Sequence, residues 1–377
     1  MLNSLLSEIT VEFSNYRRSC LKNVLILALA LLRKETVCLH RLKSEVGCIT
    51  DSRSTQPDSH YKRLIRIFDF YAFSSLWLDL LKYVMVLLRL KSDYLLLDGT
   101  SWKHGQRWYH YLTLCVVYQE VAIPIFWLNL NKHGTSNFSE RKKLLKKAAR
   151  HFHLRDKILL ADREYIGVEW FKLLKASDIP FVIRLRKNTY KAAIDQAPGR
   201  SYKRIKDKVL RSKVPYKTLR KDFSLEGMDL ALVVVKNPKP KAEEPLIYLI
   251  TDLQESALRT AQRYPIRWKI EHCFKHLKSN GFDLEAINLK GEARRTLLIA
   301  VVVFSYVLSI LQGLKTYHKV PSRTFDQHKT YKVESIFRYG INQIAQYCRN
   351  WEAFLLFLID QRRHAKKQYR SPDAIIV

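Results

Sequence analysis

DYLLLDGT, residues 93–100, is where the chain changes character. The residues before it read as helices, and an apolar run ending in Asp-Gly begins a series of strands. WYHYLTLCVVY (108–118) and VAIPIFWLNL (121–130) follow, both rich in β-branched and aromatic residues and joined by Gln119-Glu120. This pattern predicts three antiparallel strands. Next come a helix over SERKKLLKKAARHF (139–152), a strand over KILLAD (157–162), a helix over GVEWFKLLKAS (167–177) and a strand over PFVIRLR (180–186). The order is β-β-β-α-β-α-β, an α/β arrangement with a mixed sheet.

Two acids fall at the expected ends of strands: Asp98 closes YLLLD, and Asp162 closes KILLAD. Carboxylates held rigidly at a sheet's rim can gather hard divalent cations, which prefer oxygen ligands. Each acid alone has a plainer reading, because Asp-Gly is a turn signal and Asp after a strand often caps the next helix. A third acid lies in YPIRWKIEHCFKHLKS, residues 264–279. Read as one α-helix at about 100° per residue, Tyr264, Arg267, Glu271 and Lys278 project at roughly 0°, 300°, 340° and 320°. Ile266, Ile270, Cys273, Phe274 and Leu277 form a separate core face, so Glu271 lies off the core among cations. An i,i+4 ion pair accounts for Arg267 and Glu271. It accounts poorly for Tyr264 and Lys278, whose spacing suits a phosphate backbone.

Composition narrows the partner. Lys and Arg number 66 against 35 Asp and Glu, a net charge of +31. Basic residues are spread through folded-looking segments, which points to an extended surface for a polyanion, most simply nucleic acid. The six cysteines, at 20, 38, 48, 115, 273 and 348, form no CxxC and fit a reducing compartment. VLILALALL (24–32) and LLIAVVVFSYVLSIL (297–311) fall short of the roughly 20 residues that a bilayer core needs. The second is expected as a buried helix, and the start of the chain lacks the pattern of a signal peptide. His272 and His276 lack a clear third zinc ligand. No P-loop or GxGxxG appears, so no nucleotide cofactor is expected.

The flanks complete the plan. Residues 1–90 read as helices separated by the polar loop ITDSRSTQPDS. A basic helix, HYKRLIRIFDFY, follows the loop, and the region fits either a small DNA-binding unit or a helical hairpin with a solvated basic face. Residues 91–186 form the first part of the core, 187–247 a basic β-rich insertion, and 248–314 the second part of the core. Residues 315–377 are expected as further helices with a loose tail, and 315–363 as the place for a dimer contact.

These pieces together resemble the DDE transposases of bacterial insertion sequences. Tyr264, Arg267, Glu271 and Lys278 match the Y-x2-R-x3-E-x6-K signature of one subgroup, and LLLDGT and LLADREYIG look like its two aspartate motifs. The resemblance covers roughly residues 91–314 and implies an RNase H-like core carrying a β-rich insertion, flanked by N- and C-terminal helical regions. It implies Asp98, Asp162 and Glu271 as catalytic residues holding two Mg²⁺ ions, with Mn²⁺ able to substitute. It implies Tyr264, Arg267 and Lys278 as DNA contacts at the transposon ends, and a homodimer in the DNA complex. The expected setting is the bacterial cytoplasm at the nucleoid, without a membrane. Some relatives use an insertion tryptophan to hold a flipped base. Residues 187–247 offer only Tyr190, Tyr202, Tyr216 and Phe223 as aromatics. A nuclease without strand transfer, or a non-catalytic DNA-binding derivative, are the alternatives.

Overall fold

The computed structural model describes residue 7 and residues 11–52, 54–89, 92–186, 202–225, 227–237, 244–325 and 329–367. Four helices lead the chain: α1 (Arg18–Lys34), α2 (Leu39–Ile49), α3 (Pro57–Tyr71) and α4 (Leu76–Leu88). The expected long loop separates α2 from α3, and Pro57 at the first turn of α3 is preset for helical φ. VLILALALL lies in α1 and is buried all round, as an unbroken apolar run requires.

The sheet follows. Its strands are β1 (Tyr94–His104), β2 (Arg107–Tyr118), β3 (Val121–Asn129), β4 (Ile158–Ala161), β5 (Phe181–Arg184), β6 (Tyr216–Leu225), β7 (Met228–Lys236) and β8 (Leu246–Thr251). Helix α5 (Phe138–Ala149) connects β3 to β4, and α6 (Val168–Ala176) connects β4 to β5. Asn137 and Glu140 form a capping box that starts α5. Helix α7 (Tyr202–Arg211) precedes β6. Helix α8 (Ala257–Arg263), a 3₁₀ turn over Tyr264–Trp268, and α9 (Lys269–Leu277) come after β8.

The strand order is β3-β2-β1-β4-β5-β8-β7-β6. β1, β2 and β3 are antiparallel, and β4 and β5 run parallel to β1. This is the RNase H-like arrangement. The insertion is β-rich, as expected, and carries a helix beside its strands. It contains α7, and β6 and β7 extend the central sheet through β8, which pairs with both β5 and β7. Tyr190 falls outside the described residues.

Helices α10 (Glu292–Thr316), α11 (Ile336–Tyr347) and α12 (Trp351–Lys367) end the chain. The expectation of helices alone over 315–363 is corrected by a hairpin, β9 (Ser322–Phe325) and β10 (Lys329–Lys332). Val320-Pro321 stops the helical path, and the β-branched and aromatic residues after it suit a ladder. Of the expected loose tail, residues 364–367 continue α12, and residues 368–377 lie outside the described residues.

Two compact units result. One is Lys91–Cys273, and the other joins Met1–Leu90 with Phe274–Val377. The second boundary therefore falls within α9, and the apolar helix α10 belongs with the N-terminal helices. Among the described residues α10 is the one unbent helix long and apolar enough to cross a membrane. In its unit it packs against α1, α3, α4 and α11. Ser305 and Ser309 return their hydroxyls to the carbonyls of Val301 and Ser305, at 2.9 and 3.1 Å, so neither is left unpaired in the core.

Candidate active site

The sheet register places the two aspartates. Leu97 stands opposite Ala161 in the parallel β1–β4 pair, so Asp98 and Asp162 are the next residues on adjacent strand paths. Neighbouring strands lie about 4.8 Å apart, which brings the carboxylates to one rim. Asp98 does not close its strand as expected, since β1 continues to His104. The antiparallel partner supplies the reason: Asp98 pairs with Thr113 and Gly99 with Leu112, so the Asp-Gly dipeptide is held straight instead of turning. Gly99 is needed for close approach, because a Cβ there would come within 2.6 Å of His110 Nε2. Its N–H donates to Asp98 Oδ1 at 2.8 Å and fixes the carboxylate.

The third acid arrives differently from the expected continuous helix. Tyr264–Trp268 is a 3₁₀ turn, and α9 begins only at Lys269. In a 3₁₀ turn residues three apart eclipse each other. Arg267 therefore lies over the Tyr264 ring, 5.8 Å from its centroid. Both side chains are buried. Lys278 lies past the end of α9, in the helical unit, where its ammonium pairs with Glu285 at 3.1 Å.

Arg267 organises the acids. Its Nη1 is 3.5 Å from Asp98 Oδ2 and its Nη2 donates to Glu271 Oε1 at 2.7 Å. Two of the three carboxylates are thus one guanidinium apart. The third, Asp162, accepts from the Tyr264 hydroxyl at 3.3 Å and lies 4.0 Å from Arg184 Nη1. Arg184 is itself held by Glu244 at 2.7 Å.

Charge and burial show what this crowding does. Burial raises Asp98 from its ordinary 3.8 to about 6; Arg267 and the Gly99 N–H oppose the shift, and Asp162 and Glu271 add to it. Protonation of Asp98 thus favours the fold, and that contribution fades as pH rises from about 4 through about 6. Near neutral pH the ionised Asp98 carries the cost of its burial, which Arg267 and the Gly99 N–H offset only in part. Burial alone would lower the Arg267 pKa, but Tyr264 and the three acids hold it above its ordinary value. Burial likewise pushes the Tyr264 hydroxyl up, which keeps it a donor to Asp162.

Three carboxylates at one rim suit hard divalent cations in donor chemistry. Among the described residues, however, no three His, Cys, Asp or Glu side chains already surround a position that could hold a metal ion. The Arg267 guanidinium lies between Asp98 and Glu271. Glu271 is the accessible member, with 47% of its side chain exposed.

Sequence reading missed the residues that hold the rim. Arg141 is buried and donates to the carbonyls of Ser136 at 2.6 Å, Glu164 at 3.1 Å and Ile166 at 3.4 Å. Glu164 accepts from the Ser136 N–H at 2.8 Å and from its hydroxyl at 3.0 Å. Together they tie the loop before α5 to the loop that follows Asp162. The lone signal in the sequence was an arginine on the otherwise apolar side of α5. Lysine lacks the planar fork needed for these carbonyls. Arg141→Lys is expected to cost about 2 kcal/mol of stability in urea titration and to lower DNA cleavage. Unchanged stability with unchanged cleavage would show that this clamp does not hold the Asp162 loop.

The sheet unit thus places Asp98 on β1, Asp162 just after β4 and Glu271 on α9, which comes after β8. The transposase DDE domain family model matches residues 90–308, more than half of the chain, and the chain belongs to that family. A search of curated proteins found no significant match. Among solved structures, a cryo-EM structure of the piggyBac transposase synaptic complex with hairpin DNA is similar at 13% identity, over 99% of this chain and 79% of that one, with a TM-score of 0.46.

Proposed function

We propose that this DDE transposase acts at the ends of an insertion sequence of the Tyr-Arg-Glu-Lys subgroup, with Asp98, Asp162 and Glu271 as its metal-holding carboxylates. The observation that carries the reading is the gathering of these acids from β1, the end of β4 and α9: Asp98 and Glu271 meet on the buried Arg267, and Asp162 accepts from Tyr264, over whose ring that arginine lies. Asp98, Asp162 and Glu271 would hold two divalent ions, Mg²⁺ or Mn²⁺, which would supply activation of the attacking oxygen and stabilisation of the leaving one. Asp98 is the rigid member, fixed by the Gly99 N–H, and Glu271 the adjustable one. Tyr264 orients Asp162 by donating to it. Hydrolysis at a transposon end frees a 3′-hydroxyl, and the same carboxylates then serve its attack on a target phosphodiester, since both steps are in-line displacements.

Of the three signature residues expected at DNA, Lys278 is assigned to the phosphate backbone. Tyr264 and Arg267 act first on the carboxylates and reach DNA only when released from them. A homodimer on paired ends, bacterial origin and a location at the nucleoid complete the proposal.

Strand transfer separates this reading from a nuclease on the same core. Given a pre-cut end with a free 3′-hydroxyl, the protein should join it to target DNA. Cleavage without any joined product would favour the nuclease. The net charge of +31 predicts steep salt dependence of DNA binding. If six to ten phosphates are neutralised, affinity should fall by about 10³ to 10⁵ between roughly 50 and 200 mM salt. A nearly flat salt response in fluorescence anisotropy would exclude the extended phosphate-binding surface.

A further inference from the structure

We propose that Arg267 is an internal place-holder for the divalent ions, and that metal loading exchanges its guanidinium for metal at Asp98 and Glu271. The inference rests on the assignment of those carboxylates to metal. It gives Arg267 a function in the metal-free protein, where it is a positioning residue and makes no DNA contact.

Four observations support it. The guanidinium reaches Asp98 at 3.5 Å and Glu271 at 2.7 Å simultaneously, through separate Nη atoms. It occupies the space between acids that would otherwise share an ion, and no ready three-ligand metal position exists among the described residues. Arg267 is 5% exposed, so it is not positioned for a solvent-borne phosphate. Its Nε is buried and has no acceptor among the described residues. The guanidinium is therefore incompletely satisfied, as befits a resident that is meant to be displaced.

The physical logic is charge balance. Three carboxylates gathered at one rim repel one another, and a buried group of like charges needs a cation. Arg267 supplies one that is covalently attached and cannot dissociate. The exchange has a defined route. Glu271 lies on the first turn of α9 with its side chain half exposed, and a rotamer change takes it from Nη2 to an incoming ion. The guanidinium then withdraws from Asp98 and Glu271, while its contact with the Tyr264 ring, which involves no carboxylate, keeps it beside the site. The freed Nη2 then faces the site, available to a substrate phosphate. Metal loading and exposure of a phosphate donor are thus coupled through one side chain.

The test is Mn²⁺ binding to the full chain without DNA, followed by electron paramagnetic resonance of the free ion. Wild type, Arg267→Gln, Arg267→Lys and Asp98→Asn are compared. Removing a competing positive charge should make Arg267→Gln bind Mn²⁺ about tenfold tighter or more. Arg267→Lys, which keeps the charge, should remain closer to wild type. Equal or weaker binding by Arg267→Gln would overturn the place-holder role. If wild type bound no Mn²⁺, or if Asp98→Asn bound it unchanged, the metal assignment of the carboxylates would fail instead.

A second measurement covers the case in which Arg267→Gln does not fold. In ¹⁵N-arginine-labelled wild type, the Arg267 Nε–H resonance is identified by its disappearance in Arg267→Lys. Mg²⁺ addition should shift it and speed its exchange with solvent. A resonance unmoved at saturating Mg²⁺ would show that the guanidinium is not displaced.

Discussion

Glu271→Gln is expected to abolish Mg²⁺-dependent cleavage of terminal inverted-repeat DNA, by about 10³-fold or more, while DNA affinity stays within about threefold of wild type. The substitution keeps the shape of the side chain and its hydrogen bond from Arg267 Nη2, so the local fold is retained. It removes the negative charge that the accessible carboxylate, a metal ligand in the proposed function, would bring to an ion. Asp98→Asn should be as damaging to cleavage but also affect stability. Asp98 is buried beside the Gly99 N–H, Arg267 and two further acids, and removing its charge relieves first the cost of burying it and then its repulsion with Asp162 and Glu271. A modest gain in melting temperature together with loss of cleavage is therefore expected for Asp98→Asn. Cleavage by Glu271→Gln at more than a tenth of the wild-type rate would exclude Glu271 as a metal ligand.

The core topology was legible because its signals are local. Three runs of β-branched and aromatic residues, then alternating helix and strand patterns, became β1 to β5 with α5 and α6 between them. The acids were legible as residue types after apolar strand runs and on a helix. Three features were not, each for a physical reason. Asp98-Gly99 reads locally as a turn, but ten register pairs with β2 keep the strand straight. Tyr264–Trp268 carries a helical pattern, yet the sequence does not distinguish 3₁₀ from α winding, which decides whether Tyr264 and Arg267 eclipse. The partners of the site come from far along the chain. Glu244 reaches Arg184 across 60 positions, and Tyr264 reaches Asp162 across 102. Periodicity reports which face is buried, not which distant side chain meets it.

The same division between local pattern and long-range contact governs the largest expected effect on stability, Gly340→Ala. By helix propensity alone, alanine in the middle of α11 should stabilise by about 1 kcal/mol. The packing predicts the opposite sign. A Cβ at Gly340 would lie 1.8 Å from the Ser309 carbonyl oxygen and 2.7 Å from the Gly313 nitrogen. Gly313 is the reciprocal contact on α10, where a Cβ would meet the Ile336 carbonyl oxygen at 2.1 Å. Both obstacles are backbone, so no rotamer change relieves them, and α10 and α11 would have to separate by more than an ångström. Separation opens the contact between the buried rings of Tyr306 and Phe337, whose centroids lie 5.3 Å apart. Loss of interdigitated packing on that scale costs more than about 3 kcal/mol. We expect Gly340→Ala to lower the urea midpoint sharply or to yield insoluble protein, with Gly313→Ala behaving alike. The sheet unit, Lys91–Cys273, has its own core, so loss of the helical unit should appear as a separate early transition. A Gly340→Ala protein as stable as wild type would mean that the two helices do not approach at backbone contact.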